Sequence, residues 1–110
     1  MNDDRVDAVF SALSDPTRRT VMRAISDHGE ASATELASRI PVSRQAIIKH
    51  LTALSEAGLV ASDRQGKQRR YRLTPRPLGE AMSWMAEVGA QWDERLQSLQ
   101  SHLNSRRPPD

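Results

Sequence analysis

At 110 residues the chain has the size of one domain, and its 37% hydrophobic content is lean for a domain that must build its own core. No apolar run reaches the ~18 residues of a membrane span, and the Asn2-Asp3-Asp4 start does not resemble a signal peptide, so a cytoplasmic protein is expected. The net charge is only +2, and the lack of cysteine excludes disulfides, thiolate metal sites and thiol redox switching.

Val6, Val9, Phe10 and Leu13 recur at helical spacing and predict a first helix over roughly 4–13. Asp15-Pro16 writes the next helix start: the carboxylate caps free N–H groups, and proline at the first helical position has no N–H to leave unbonded. Val21, Met22 and Ile25 carry the stripe of that helix, which ends near His28-Gly29. Ser32 and Glu35 form a capping box for a third helix with Leu36, Ala37 and Ile40 on its buried side, stopped by Pro41. Ser43 then opens a fourth helix, with Ile47, Leu51 and Leu54 inward and Gly58 as its left-handed stop. Two short helices joined by so tight a turn make a helix-turn-helix.

From Leu59 to Leu73 the period changes to two. Leu59-Val60-Ala61 leads into a strand, Gln65-Gly66-Lys67-Gln68 is the turn, and Arg70-Tyr71-Arg72-Leu73 alternates basic and apolar side chains. Tyr71 and Leu73 are expected to face the core, with Arg70 and Arg72 outward, so the hairpin reads as a wing. Thr74-Pro75-Arg76-Pro77 then starts a last helix running to about Leu103. Its stripe is Leu78, Met82, Met85, Val88, Trp92, Leu96, Leu99 and Leu103, and its ~40 Å length exceeds what the small domain can cover, which argues for dimerisation. Val6, Val9 and Phe10 are expected to join this stripe in the interface, while Trp84 lies off the seam and packs on its own domain. Residues 1–103 form the domain and 104–110 a polar tail.

The modest net charge hides an uneven distribution. Residues 1–38 carry −3, residues 39–76 carry +7 and residues 77–110 carry −2. A basic centre between acidic flanks is the footprint of a polyanion-binding surface. On the fourth helix, Arg44 suits guanine, Gln45 suits adenine, Ile48 a thymine methyl, and Ser43, Lys49 and Thr52 complete the outward face. Arg64, Lys67, Gln68, Arg69, Arg70 and Arg72 cluster on the wing, where phosphate contact is expected. With Tyr71 the only aromatic residue among them, and that one buried, a single-strand stacking platform is not expected.

His28, His50 and His102 are too scattered to ligate a metal, and no nucleophile stands beside a base, so neither a cofactor nor catalysis is expected. Two alternatives remain open: an interaction module whose basic face meets an acidic protein, and a DNA-binding regulator with an organic effector near Met82, Met85 and Trp92 in the dimer interface.

Three stretches then carry a family likeness. They are Phe10-x-Ala12-Leu13-x-Asp15-Pro16-Thr17-Arg18 with Glu35-Leu36-Ala37, then Val42-Ser43-Arg44-Gln45-Ala46-x-x-Lys49-His50-Leu51 through Ala57-Gly58-Leu59-Val60, and finally Gly66-Lys67-x-Arg69-x-Tyr71-x-Leu73. Over residues 6–103 the chain resembles the ArsR/SmtB family of bacterial winged-helix repressors. The resemblance implies a mainly α fold with a small β-hairpin and five helices, dimerising through the first and last. It also implies binding to a two-fold, inverted-repeat operator on double-stranded DNA, hence a bacterial cytoplasmic protein that sits on the nucleoid when bound.

Many relatives sense metals. Their Cys-x-Cys positions fall on Ser32 and Thr34 here, and their last-helix ligand positions on Pro75, Pro77, Val88 and Gln91. Proline and valine offer no donor atom, so the resemblance is to a metal-independent branch, which often carries Trp-Asp-Glu-Arg-Leu, as at Trp92–Leu96, and is commonly autorepressing.

Overall fold

The computed structural model describes residues 3–105. In chain order these form α1 (Asp3–Leu13), α2 (Pro16–His28), β1 (Glu30–Ser32), α3 (Ala33–Arg39), α4 (Arg44–Glu56), β2 (Val60–Gln65), β3 (Gln68–Leu73) and α5 (Pro75–Ser105). Each expected helix is present, and so is the hairpin. The tail boundary moves: α5 continues through Asn104 to Ser105, and the remainder of the expected tail lies outside the described residues.

Helix ends follow the capping chemistry. Asp15 accepts hydrogen bonds from the Thr17 and Arg18 amides at 2.8 and 3.1 Å, and Pro16 begins α2. Ser32 Oγ accepts from the Glu35 amide, and Ser43 Oγ from that of Ala46. At the end of α4 the Leu59 amide reaches the Leu54 carbonyl and the Gly58 amide reaches Ser55, with Gly58 at φ +75°. That pair of bonds is a Schellman motif, and its accompanying hydrophobic contact is supplied by the buried Leu54 and Leu59.

The strand that sequence reasoning missed is β1, three residues between α2 and α3. It pairs antiparallel with β3, giving a three-stranded sheet in the order β1-β3-β2. Ser32 is both its last residue and the cap of α3, so a strand lies where the residue pattern announces only a helix start. In the β2–β3 hairpin Gln65 opposes Gln68 across a two-residue turn, and Gly66 takes φ +65° while Lys67 does not take positive φ. Glycine with positive φ at the first turn position is what a type II′ hairpin requires.

The core gathers Val9, Val21, Ile25, Leu36, Ile47, Leu51 and Leu54, all inaccessible to solvent. Tyr71, Leu73 and Leu78 pack against it from the sheet and the start of α5. Most of α5 then leaves the domain: every residue from Gly89 to Asn104 is exposed. The radius of gyration is 20.4 Å, against about 13 Å for a compact domain of this size.

Candidate nucleic-acid interface

The turn between α3 and α4, residues 40–43, is tightened by a 2.7 Å bond from the Val42 amide to the Ile40 carbonyl. It seats α4 with Ile47, Leu51 and Leu54 buried, which turns the opposite side of the helix to solvent. Ser43, Arg44, Gln45, Ile48, Lys49 and Thr52 all lie on that exposed side. Thr52 Oγ1 is spent on its own helix, donating to the Ile48 carbonyl at 2.9 Å. His50 is half-buried, with Nδ1 enclosed and lacking a hydrogen-bond partner, so it belongs to the packing of α4 and not to its outward face.

Strand register sorts the basic side chains of the wing. Directly opposed residues share a face of a sheet, and neighbours along a strand alternate. Arg64 opposes Arg69, Ser62 opposes Tyr71 and Val60 opposes Leu73, so these residues lie on the core-facing side of the hairpin. Arg64 and Arg69 occupy its tip, beyond the apolar part. Arg69, but not Arg64, borders with α4 a cleft of about 290 Å³ whose basic lining is Arg44, Lys67 and Arg69, with Ile48 and Tyr71 also lining it. Arg69 also donates to Ser62 Oγ at 3.1 Å, and Arg44 Nε to Thr34 Oγ1 at 3.1 Å.

Arg70 and Arg72 lie on the other face. Arg70, expected to meet phosphate, is already paired within the subunit. Its Nε meets Glu30 Oε1 at 2.9 Å and its Nη1 meets Glu35 Oε1 at 2.6 Å, and the side chain is largely enclosed. Arg72 approaches Asp63 at 3.6 Å and stays half exposed. The hydrogen bond from Arg70, followed by the charges of Arg70 and Arg39, holds the Glu35 carboxyl below its ordinary range against a desolvation that raises it. The same contact, with that of Glu30, raises Arg70. The residue pattern does not announce Glu30 and Glu35 as partners of Arg70, because only the pairing of β1 with β3 brings them together, nor Thr34 as a partner of Arg44, which the tight α3–α4 turn sets beside it.

The expected interface stripe divides in three. Val6 and Val9 are buried inside the subunit, so they lie beneath its surface and not on it. Phe10 and Leu78 are partly buried against the core, and Val88 is intermediate. Met82, Met85, Trp92, Leu96, Leu99 and Leu103 remain about half exposed along α5, a seam that no described residue covers. Among the described residues no three His, Cys, Asp or Glu side chains gather where they could hold a metal ion, and no helix is long and apolar enough to cross a membrane.

A helix-turn-helix domain family matches residues 13–63. The chain is 42% identical to the uncharacterized HTH-type transcriptional regulator YuzN of Bacillus subtilis, over 71% of this chain and 90% of that one. It is 30% identical to the arsenical resistance operon repressor of Escherichia coli, over 86% and 81% of the two chains. Among solved structures, an ArsR-like transcriptional regulator from Rhodococcus sp. RHA1 superposes with a TM-score of 0.78 at 41% identity, covering 89% of this chain and 92% of that one. The homodimeric winged helix-turn-helix DNA-binding domain of Mb0332 from Mycobacterium bovis gives 0.61 at 25% identity, covering 86% and 84%. These relatives regulate transcription and are not enzymes. A sheet-backed wing beside a helix-turn-helix, and identity sustained across most of both chains, place this protein in the ArsR/SmtB family of winged helix-turn-helix transcriptional regulators.

Proposed function

We propose that the chain is a homodimeric repressor that sets α4 in the major groove of an inverted-repeat operator and lays its wing on the flanking backbone. The observation that carries this reading is the cleft between α4 and the wing, where Arg44, Lys67 and Arg69 converge from two elements. Arg64 opposite Arg69 adds a second reason. Like charges facing each other across a ladder repel, and a polyanion threading between wing and helix relieves that repulsion. A protein partner would have little use for the polar, base-capable pair Arg44-Gln45 next to that charge.

Dimerisation is supported by the uncovered α5 seam and by the homodimeric Mycobacterium bovis relative. Repression follows the Escherichia coli relative, which carries that name. Metal independence is argued from donor chemistry. Ser32 Oγ is engaged as a helix cap, Thr34 Oγ1 accepts from Arg44, and Pro75, Pro77 and Val88 have no donor side-chain atoms.

A duplex covering the chain's own promoter, titrated with purified protein at several salt concentrations, tests the reading. Saturable binding of two subunits per duplex, with half-site centres about 34 Å or a multiple apart, is expected. A monomer that ignores duplex DNA at low salt overturns it. If bound zinc or cadmium releases the duplex, metal independence is wrong.

A further inference from the structure

We infer that β1 and the first turn of α3 together form a positioning hub for DNA recognition: Thr34 holds the Arg44 guanidinium at the cleft, while Glu35 and Glu30 anchor the wing through Arg70. The inference rests on the proposed reading of α4 and the wing, and it assigns the setting of both to the junction of β1 and α3.

The geometry comes from the two sides of the β1–α3 junction. On the cleft side, Arg44 Nε donates to Thr34 Oγ1 at 3.1 Å, and Ser32, Ala33 and Thr34 line the same cleft as Lys67 and Arg69. On the opposite face, Arg70 Nη1 reaches Glu35 Oε1 at 2.6 Å and Arg70 Nε reaches Glu30 Oε1 at 2.9 Å. Ser32 opposes Arg70 in the β1–β3 ladder and caps α3, so strand pairing, helix cap and ion pair all converge there. An arginine side chain has many rotamers. Tying its Nε to a neighbouring oxygen leaves the Nη groups free to fork onto a base edge while removing much of that freedom before binding. A bridge from Arg70 to two carboxylates on different elements fixes the root of the wing in the same way, with a planar fork that lysine does not possess.

The two ties have different signatures. Losing the Thr34 tie should weaken discrimination between base pairs and leave the salt dependence alone. Losing the Glu35 tie lets the wing swing, which should weaken all duplexes alike and lower the salt slope, because wing–phosphate contacts are lost.

The test uses the full chain and a duplex selected by the purified protein from random-sequence DNA, compared with single-base-pair variants of it. Thr34→Val should lose roughly three- to tenfold in discrimination at the base pair read by Arg44, and Thr34→Ser, which keeps the oxygen, should restore it. Glu35→Gln should leave discrimination intact and lower the salt slope. Relaxation of the Arg44 Nε–H signal in the free protein gives a reading independent of DNA, with higher mobility expected in Thr34→Val. Wild-type discrimination and unchanged Arg44 mobility in Thr34→Val overturn the Thr34 tie, and an unchanged salt slope in Glu35→Gln overturns the wing anchor. Full discrimination in Arg44→Ala shows instead that α4 is not the reader, and the Thr34 inference falls with that reading even where the tie itself persists.

Discussion

Trp84 on α5 meets Phe10 on α1 edge to face, with ring centroids 5.6 Å apart and the planes at 70°. This contact ties Trp84 to its own domain, although the indole keeps 40% of its surface exposed. The pair lies where α5 crosses α1, beside the Arg5–Glu80 ion pair at 3.4 Å. Edge-to-face aromatic pairs contribute about 0.5–1.5 kcal/mol beyond the area they bury. A double-mutant cycle with Phe10→Leu and Trp84→Leu should show coupling of about that size in urea unfolding at fixed protein concentration.

The α5 seam should hold the dimer together. Leu96 and Leu99 are each about half exposed in the subunit. Fully burying a leucine is worth about 1.5–3 kcal/mol, and a buried unpaired charge is worse. Leu96→Glu combined with Leu99→Glu should therefore weaken self-association by at least roughly 100-fold. Sedimentation velocity should show a monomer, with the helical circular dichroism of α1 to α4 retained.

Arg44 and Arg69 should behave differently on DNA. Arg44→Ala should cost roughly 1–3 kcal/mol and relax preference at one position of each half-site. Arg69→Ala should weaken every duplex similarly and reduce the salt slope by about one per subunit. Anisotropy titrations over a salt series distinguish the two, and equal behaviour of the variants would refute the division of labour.

The cap of α3 is a stability site. Ser32 is buried, and its hydroxyl accepts the Glu35 amide at 3.2 Å. Removing a serine cap typically costs about 1 kcal/mol. Ser32→Ala should lower the urea midpoint accordingly, whereas Ser38→Ala, at an exposed hydroxyl inside the same helix, should change it little.

Acid should undo the carboxylate contacts in a definite direction. The Arg70 hydrogen bond lowers Glu35, and the Arg18 amide, followed by that of Thr17, lowers Asp15 at the start of α2. Both groups bind protons more weakly when folded than when unfolded. Their contribution is complete above the ordinary carboxylate range and is lost as pH falls through the depressed folded values. Urea midpoints measured from about pH 7 down to about pH 3 should decline over that acid limb. Glu35→Gln should flatten the decline.

Helix existence was legible in the sequence because its signals are local. Asp15-Pro16, Ser32 with Glu35, and Ser43 each announce a start within four residues, and the stripes Val21-Met22-Ile25 and Ile47-Leu51-Leu54 mark the buried faces. The outward face of α4 followed from the same periodicity. β1 was not legible: three residues carry too little alternation to register, and their pairing partner lies some forty residues away.

The wing shows where local reading stops. Alternation correctly separates Tyr71 and Leu73 from Arg70 and Arg72, since side-chain direction in a strand depends only on parity. It cannot say which outward arginine meets solvent, because Glu30 and Glu35 arrive through β1 and α3. The apolar stripe of α1 has the same limit: periodicity groups Val6 and Val9 with Phe10, but packing against the rest of the domain decides which of them reach the surface. Order along the chain thus determined the helices, the hairpin, their inner faces and the basic centre, but not β1. Folding decided which charges were neutralised at home and which were left facing the cleft, because Coulomb attraction depends on distance in space and not on separation in sequence.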